Sequence, residues 1–191
     1  MVPEAPLEQT EHGLVPAGKG WFVLNARDAR WRDRPGRRSL SFTGITEHEV
    51  VTYYPQLGVN LVVIEPGVAN SMYHWETEQE AFFVVSGEAL LIVEGEERRL
   101  QQWDFVHLPP ETSHVVVGAG ESPCVVLAMS SREFQLNGPW GWYIANEAAR
   151  RHGASPEADT QEAADAYANW PRSETSRYRD GWLPDDSSDR P

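Results

Sequence analysis

Between Val50 and Met129 the chain is a succession of short apolar runs broken by turn residues, with almost no helical periodicity among them. That pattern predicts strands near 50–54, 59–65, 71–76, 80–85, 88–94, 97–101, 104–108, 114–118 and 123–129. Glu94-Gly95-Glu96, between Leu91-Ile92-Val93 and Arg98-Arg99-Leu100, reads as a hairpin. Many short strands at this spacing build an antiparallel sandwich or barrel. The 191 residues fit one such domain with a buried core, and 15 glycines and 14 prolines suit its turns.

The two ends differ in character. Residues 1–19 are polar, hold prolines, show no periodicity and read as a loose arm. Trp21-Phe22-Val23-Leu24 is the first expected strand. The segment that follows carries Arg27, Arg30, Arg32, Arg34, Arg37 and Arg38. It reads either as a solvated loop or subunit contact, or as the source of an arginine that clamps a substrate carboxylate or phosphate. Past the strands, Ile144 to His152 predicts a short helix stopped at Gly153. Ser155-Pro156 then reads as the start of a second helix, with Ala163, Ala166, Tyr167 and Trp170 on one face. Beyond Pro171 the sequence is polar and reads as a mobile tail that Trp182 could anchor.

A net charge of −13 argues against a general nucleic-acid surface, which needs a basic field. The lone cysteine, Cys124, sits beside Val125, Val126 and Leu127 and reads as a buried strand thiol. No apolar run approaches the ~20 residues of a membrane span, and the acidic N-terminus lacks a signal-peptide pattern. These features predict a cytoplasmic protein with no membrane partner.

The chemistry concentrates between Pro66 and Gly87, where His74, Glu76 and Glu80 fall within seven residues. In an extended segment His74 and Glu76 share a face and Trp75 takes the other. Glu80 opens the next apolar run after a polar gap, Thr77-Glu78-Gln79. A second imidazole is expected from His114. His107 alternates with Val106 and Leu108 and reads as a surface histidine. Glu47-His48-Glu49 reads as a solvated turn, and His12 and His152 show no partner nearby in sequence. Tyr53, Tyr54, Trp75, Phe82, Phe83, Trp103 and Phe105 read as mostly core, with Phe82 and Val84 on Glu80's face. Trp140, Trp142 and Tyr143 are candidates to cover a barrel mouth.

These motifs resemble the cupin superfamily of small jelly-roll β-barrels. The first cupin motif runs Gly, five residues, His-x-His, three or four residues, Glu, six residues, Gly. Here it reads Gly67, six residues, His74-Trp75-Glu76, three residues, Glu80, six residues, Gly87, with Glu76 where a second histidine is usual. In the second motif Pro109 and His114 fall in place, while Trp103, Glu111 and Gly118 stand at positions where the pattern has Gly, Gly and Asn. The resemblance implies an all-β, cupin-type jelly-roll barrel with short C-terminal helices. It divides the chain into an arm and first strand (1–49), the barrel (50–130) and a helical extension with its tail (131–191).

The resemblance also implies a metal site, in which the usual three imidazoles and one carboxylate become His74, His114, Glu76 and Glu80. Such a nitrogen and oxygen set suits Fe, Mn, Zn, Ni or Co, and lacks the thiolates of a structural zinc cage. If Glu76 is not a ligand, the other three still form a two-His, one-carboxylate group, and Glu76 is free to act as a base. A metal-free buried network of the same four residues is the bland reading. The first expectation is a metal-dependent enzyme on a small organic molecule, with oxygenase-type chemistry. A non-redox isomerase, epimerase or lyase and a non-catalytic binding barrel are the alternatives, and a homodimer is expected because cupins often pair.

Overall fold

Strand parity decides which side chains fill this molecule. The computed structural model describes residues 1–43, 45–46, 49–50, 56–132 and 140–184. Its strands begin with β1 (Leu7–Thr10), β2 (Gly13–Pro16), β3 (Arg30–Arg34), β4 (Arg37–Ser41), β5 (Ile45–Thr46), β6 (Glu49–Val50) and β7 (Leu57–Ile64). They continue through β8 (His74–Glu76), β9 (Glu80–Ser86), β10 (Glu88–Val93), β11 (Glu96–Gln101), β12 (Phe105–Leu108), β13 (His114–Ala119) and β14 (Cys124–Ser131). After these come β15 (Gly141–Tyr143), the helices α1 (Glu147–Arg150) and α2 (Ala163–Ala166), and β16 (Glu174–Arg177). Among the described residues, one sheet runs β12-β9-β14-β7-β4-β3-β16 and a second runs β11-β10-β13-β8-β15; β1-β2 and β5-β6 form separate ribbons. The ladders are antiparallel, as the expected jelly roll requires.

The two sheets enclose Val62, Ile64, Phe82, Val84, Leu91, Val116, Cys124 and Val126, alternate residues of their strands. The residues between them are buried as well, because both outer faces are covered. Ala148, Ala149 and Ala154 pack over Val115 and Val117. Trp31 and Leu40 pack with Val63 and Val125, joined by Tyr178, Trp182 and Leu183. With both faces buried, β7, β13 and β14 read as near-continuous apolar runs rather than alternating ones. The hairpin at Glu94-Gly95 is a two-residue turn with both residues at positive φ, 50° and 80°.

The ends of the chain correct several expectations. Residues 1–19 are not a loose arm: β1 and β2 form a hairpin, Leu14 N–H donates to the Asp28 carbonyl, and Ala5 N–H donates to that of Trp21. Trp21 to Leu24 does not form a strand, and Trp21 makes only an isolated bridge to Glu4. The arginine-rich segment is the β3-β4 hairpin, joined through β4 to β7. Arg34 there is buried, donating to the carbonyls of Ala69 and Asn70 with its guanidinium 4.3 Å from the centre of the Trp170 ring. The first expected helix shrinks to α1, capped by the Asn146 side chain. The second begins at Ala163 rather than at Ser155, whose hydroxyl accepts from Asn146 N–H. The segment beyond Pro171 is tied down, because β16 pairs with β3 and Trp182 lies 5.4 Å from Trp31.

Candidate metal centre

The site forms where the two sheets meet at one end of the barrel. His74, the first residue of β8, lies directly opposite His114, the first residue of β13, and their ring centres are 4.9 Å apart. Each ring is fixed in the same way. His74 Nδ1 donates to the Met72 carbonyl at 2.7 Å and His114 Nδ1 to that of Thr112 at 2.9 Å. A carbonyl only accepts, so each Nδ1 carries the proton, and the Nε2 of a neutral ring turns its lone pair into the barrel. Glu80 arrives from the other sheet as the first residue of β9, opposite Leu108 and Ser130. His74, Glu80 and His114 each offer a ligand atom, and these atoms all lie within 4.8 Å of one another.

Segments far away in sequence hold this geometry. Met72 N–H donates to the Tyr167 hydroxyl, Tyr73 N–H to the Ala154 carbonyl, and Ile144 N–H to that of Tyr73. The C-terminal extension therefore fixes the backbone leading into His74. On the other side, the Glu94 carboxylate in the hairpin turn accepts from Ser113 N–H, next to His114.

Glu76 Oε1 is 3.6 Å from His74 Nε2, yet Glu76 lies outside the close trio. Glu78, read in sequence only as part of a polar gap, is buried. The spacing of Glu76, Glu78 and Glu80 at every second residue was a signal that it belongs with them. Arg132 was also missed. It extends the alternation of Cys124, Val126, Ala128 and Ser130 on the interior face one step past the end of β14. Phe82 and the aromatic residues after the last barrel strand close the apolar side. The rings of Phe82 and His114 are 5.5 Å apart, and those of Trp140 and Tyr143 are 6.0 and 5.9 Å from His74. Trp142, between them in sequence, points outward.

Burial and charge pull the titrations apart. Burial opposes charge on His74, but the hydrogen bond to Glu76 and the charges of Glu80 and Glu76 outweigh it and raise His74 to about 9. Burial, with Glu76 nearby, pushes Glu80 up to about 8. Burial and the charge on His74 push His114 down to about 3. His114 is therefore neutral at ordinary pH. Its buried Nε2 finds no hydrogen-bond partner, although a Glu80 oxygen lies 3.2 Å away.

Other expected positions fall elsewhere. His107 is exposed, and His152 Nε2 bonds Glu97 at 3.0 Å. His12 lies 4.0 Å from Glu11, and Cys124 is a buried thiol that burial pushes up to about 11. Trp103 and Phe105 are exposed rather than core, because both stand on the outer side of the edge strand β12 and the turn before it. Tyr53, Tyr54, Glu47 and His48 lie outside the described residues, and the side chain of Glu49 is likewise undescribed.

A family model described as a cupin domain matches residues 60–130, which include the trio and Glu76. An uncharacterized protein of Methanocaldococcus jannaschii is 22% identical over 68 residues, 36% of this chain and 54% of its own length. The chain thus spans about half of the curated relative that it matches. Among solved structures, KdgF from Halomonas sp. is 25% identical with a TM-score of 0.43, over 55% of this chain and 89% of that one. A cupin-superfamily sugar phosphate isomerase from Silicibacter pomeroyi is 27% identical with a TM-score of 0.44, over 56% of this chain and 64% of that one.

Proposed function

This chain belongs to the cupin superfamily, and from that premise and the geometry at the barrel mouth we propose that His74, Glu80 and His114 hold a divalent transition metal in an enzyme acting on a small organic molecule. One observation carries the reading. The buried Nε2 of His114 is without a hydrogen bond, its lone pair faces a carboxylate oxygen 3.2 Å away, and His74 stands beside it. Two electron-rich atoms at that distance repel unless a proton or a cation lies between them, and burial raises the cost. In the metal-free chain the proton that Glu80 holds up to about pH 8 fills that gap; a divalent ion takes its place and compensates the buried carboxylates at once.

Once bound, such an ion supplies Lewis acidity toward a substrate oxygen and, if redox-active, oxygen chemistry at its open positions. The chain supplies the rest. Met72 and Thr112 hold both imidazoles in the ligating tautomer. Phe82, Trp140 and Tyr143 shield the centre from water. Glu76, next to His74 and outside the trio, is placed to take a proton from the substrate. Oxygenase-type chemistry remains the first reading. The position of Glu76 favours a second, a non-redox proton transfer such as isomerisation, in which that carboxylate is the base.

Metal analysis of the purified chain beside His74→Ala, Glu80→Gln and His114→Ala tests the centre. About one ion per wild-type chain, lost in all three variants, is the expected result; a wild type that neither carries nor rebinds metal ends this reading. Oxygen uptake by the Fe(II)-loaded protein with phenols, diketones and thiols then separates the two chemistries.

A further inference from the structure

Arg132 is only 5% exposed, and its guanidinium lies on the interior face of the barrel mouth. A Cβ added at Gly58 would fall 2.5 Å from its Nε and 2.6 Å from Ser130 Oγ, so β7 leaves a space for it there. Ser130 is directly across from Glu80, and Arg132 is one strand repeat, about 7 Å, further along. Among the described residues no carboxylate oxygen comes within 4.0 Å of its nitrogens, and its one side-chain hydrogen bond is a long one, 3.4 Å, to Thr43 Oγ1. Glu76 and Glu78 act on it only through space, and burial pulls its pKa below the usual guanidinium value. Arg34, the other buried arginine, is occupied by the Ala69 and Asn70 carbonyls and the Trp170 ring.

A buried guanidinium with five donors and no ion pair is costly, and it is retained where an anion completes it. We propose that Arg132 recognises the substrate, which is a short-chain organic acid. Arg132 takes the carboxylate through its planar fork while the rest of the molecule faces His74, Glu80 and His114. This rests on the reading of that trio as the reaction site. One guanidinium matches a singly charged carboxylate; a phosphate dianion draws on more than one cation or on a helix N-terminus.

The test is calorimetric titration of the full chain, loaded with redox-silent Zn²⁺, with propionate, malonate and succinate, their amides, and methyl phosphate. At least one acid should bind about tenfold or more tightly than its amide. Arg132→Met should erase that preference and Arg132→Lys should keep part of it. Because none of the described carboxylates pairs directly with the charge, Arg132→Met should also melt at or above the wild-type temperature. A wild type indifferent to acid and amide overturns the proposal, and so does an Arg132→Met that keeps the preference. Methyl phosphate binding more tightly than every acid overturns the carboxylate assignment. If Arg132→Met fails to fold, Arg132 is a structural residue and the proposal falls unless the wild-type preference is present and weakened in Arg132→Lys. Zinc content separates the two readings: a chain that takes no zinc defeats the metal centre, while the acid and amide comparison on metal-free protein still reads Arg132.

Discussion

His74 at about 9 and Glu80 at about 8 hold protons at neutral pH that a metal ion must displace. Apparent Zn²⁺ affinity should therefore climb steeply between about pH 6 and pH 8 and flatten above about pH 9, as measured by competition with a chelator. The same shifts set the stability of the metal-free chain. Both groups are raised above their unfolded values of 6.5 and 4.5, so their contribution is complete at low pH and is lost as pH rises through about 8 and 9. His114, lowered to about 3, acts in the opposite sense and withdraws stability as pH falls below 6.5. Melts of metal-free protein should fall from about pH 6.5 to pH 9, and saturating Zn²⁺ should remove that fall; a flat metal-free profile contradicts the buried, proton-holding pair. Glu76→Gln makes a separate case. Its carboxylate stands outside the trio, so the variant should keep its metal and lose about 10²–10⁴ in turnover, read by metal analysis and kcat together. His74, Glu80 and His114 are legible in the sequence because few residue types bind metal and because they fall at ligand positions of the two cupin motifs. Glu78 is obscured because its alternation with Glu76 and Glu80 runs through a stretch that reads as a turn, and Arg132 because its alternation with Ala128 and Ser130 continues past the last apolar run, where a charged residue reads as surface.

At the level of elements, what the sequence conceals is the β3-β4 hairpin. Its strands read RWRDR and RRSLS, so almost every side chain that periodicity could count is polar. They are strands nonetheless, because arginine stems pack and their heads find fixed acceptors: Arg34 on two carbonyls, Arg37 on Asn70 and Ser39, and Arg38 on Glu65. Two apolar side chains, Trp31 and Leu40, anchor the hairpin to the outer face of the large sheet, and Trp31 has no exposed surface left. Trp31→Ala should cost about 3–5 kcal/mol in urea unfolding. Because Trp31 lies in a different cluster from the interior of the barrel, Zn²⁺ stoichiometry in the native baseline should not change. Loss of metal in that variant would tie the outer face to the site.

On the scale of the whole molecule, two parts of the C-terminal extension close over a barrel built from the middle of the chain, and they do so at different places. Residues 171–184 bring β16 to the edge of β3 and set Tyr178 and Trp182 against Trp31 at 6.0 and 5.4 Å. Residues 140–170 instead support the centre: Tyr167 and Ala154 accept from Met72 and Tyr73, and Trp140 and Tyr143 stand over His74. Two deletions should therefore fail differently. Removing residues 171–191 leaves β3 as an open edge and uncovers Trp31, so the melting temperature should drop and the β3 amides should exchange faster, while the chain still takes up Zn²⁺. Removing residues 140–191 also frees the Met72 carbonyl segment that orients His74 Nδ1, and Zn²⁺ affinity should fall with stability. Equal zinc affinity in the two shortened chains, each measured below its own melting temperature, would mean that the barrel strands hold His74 without the extension.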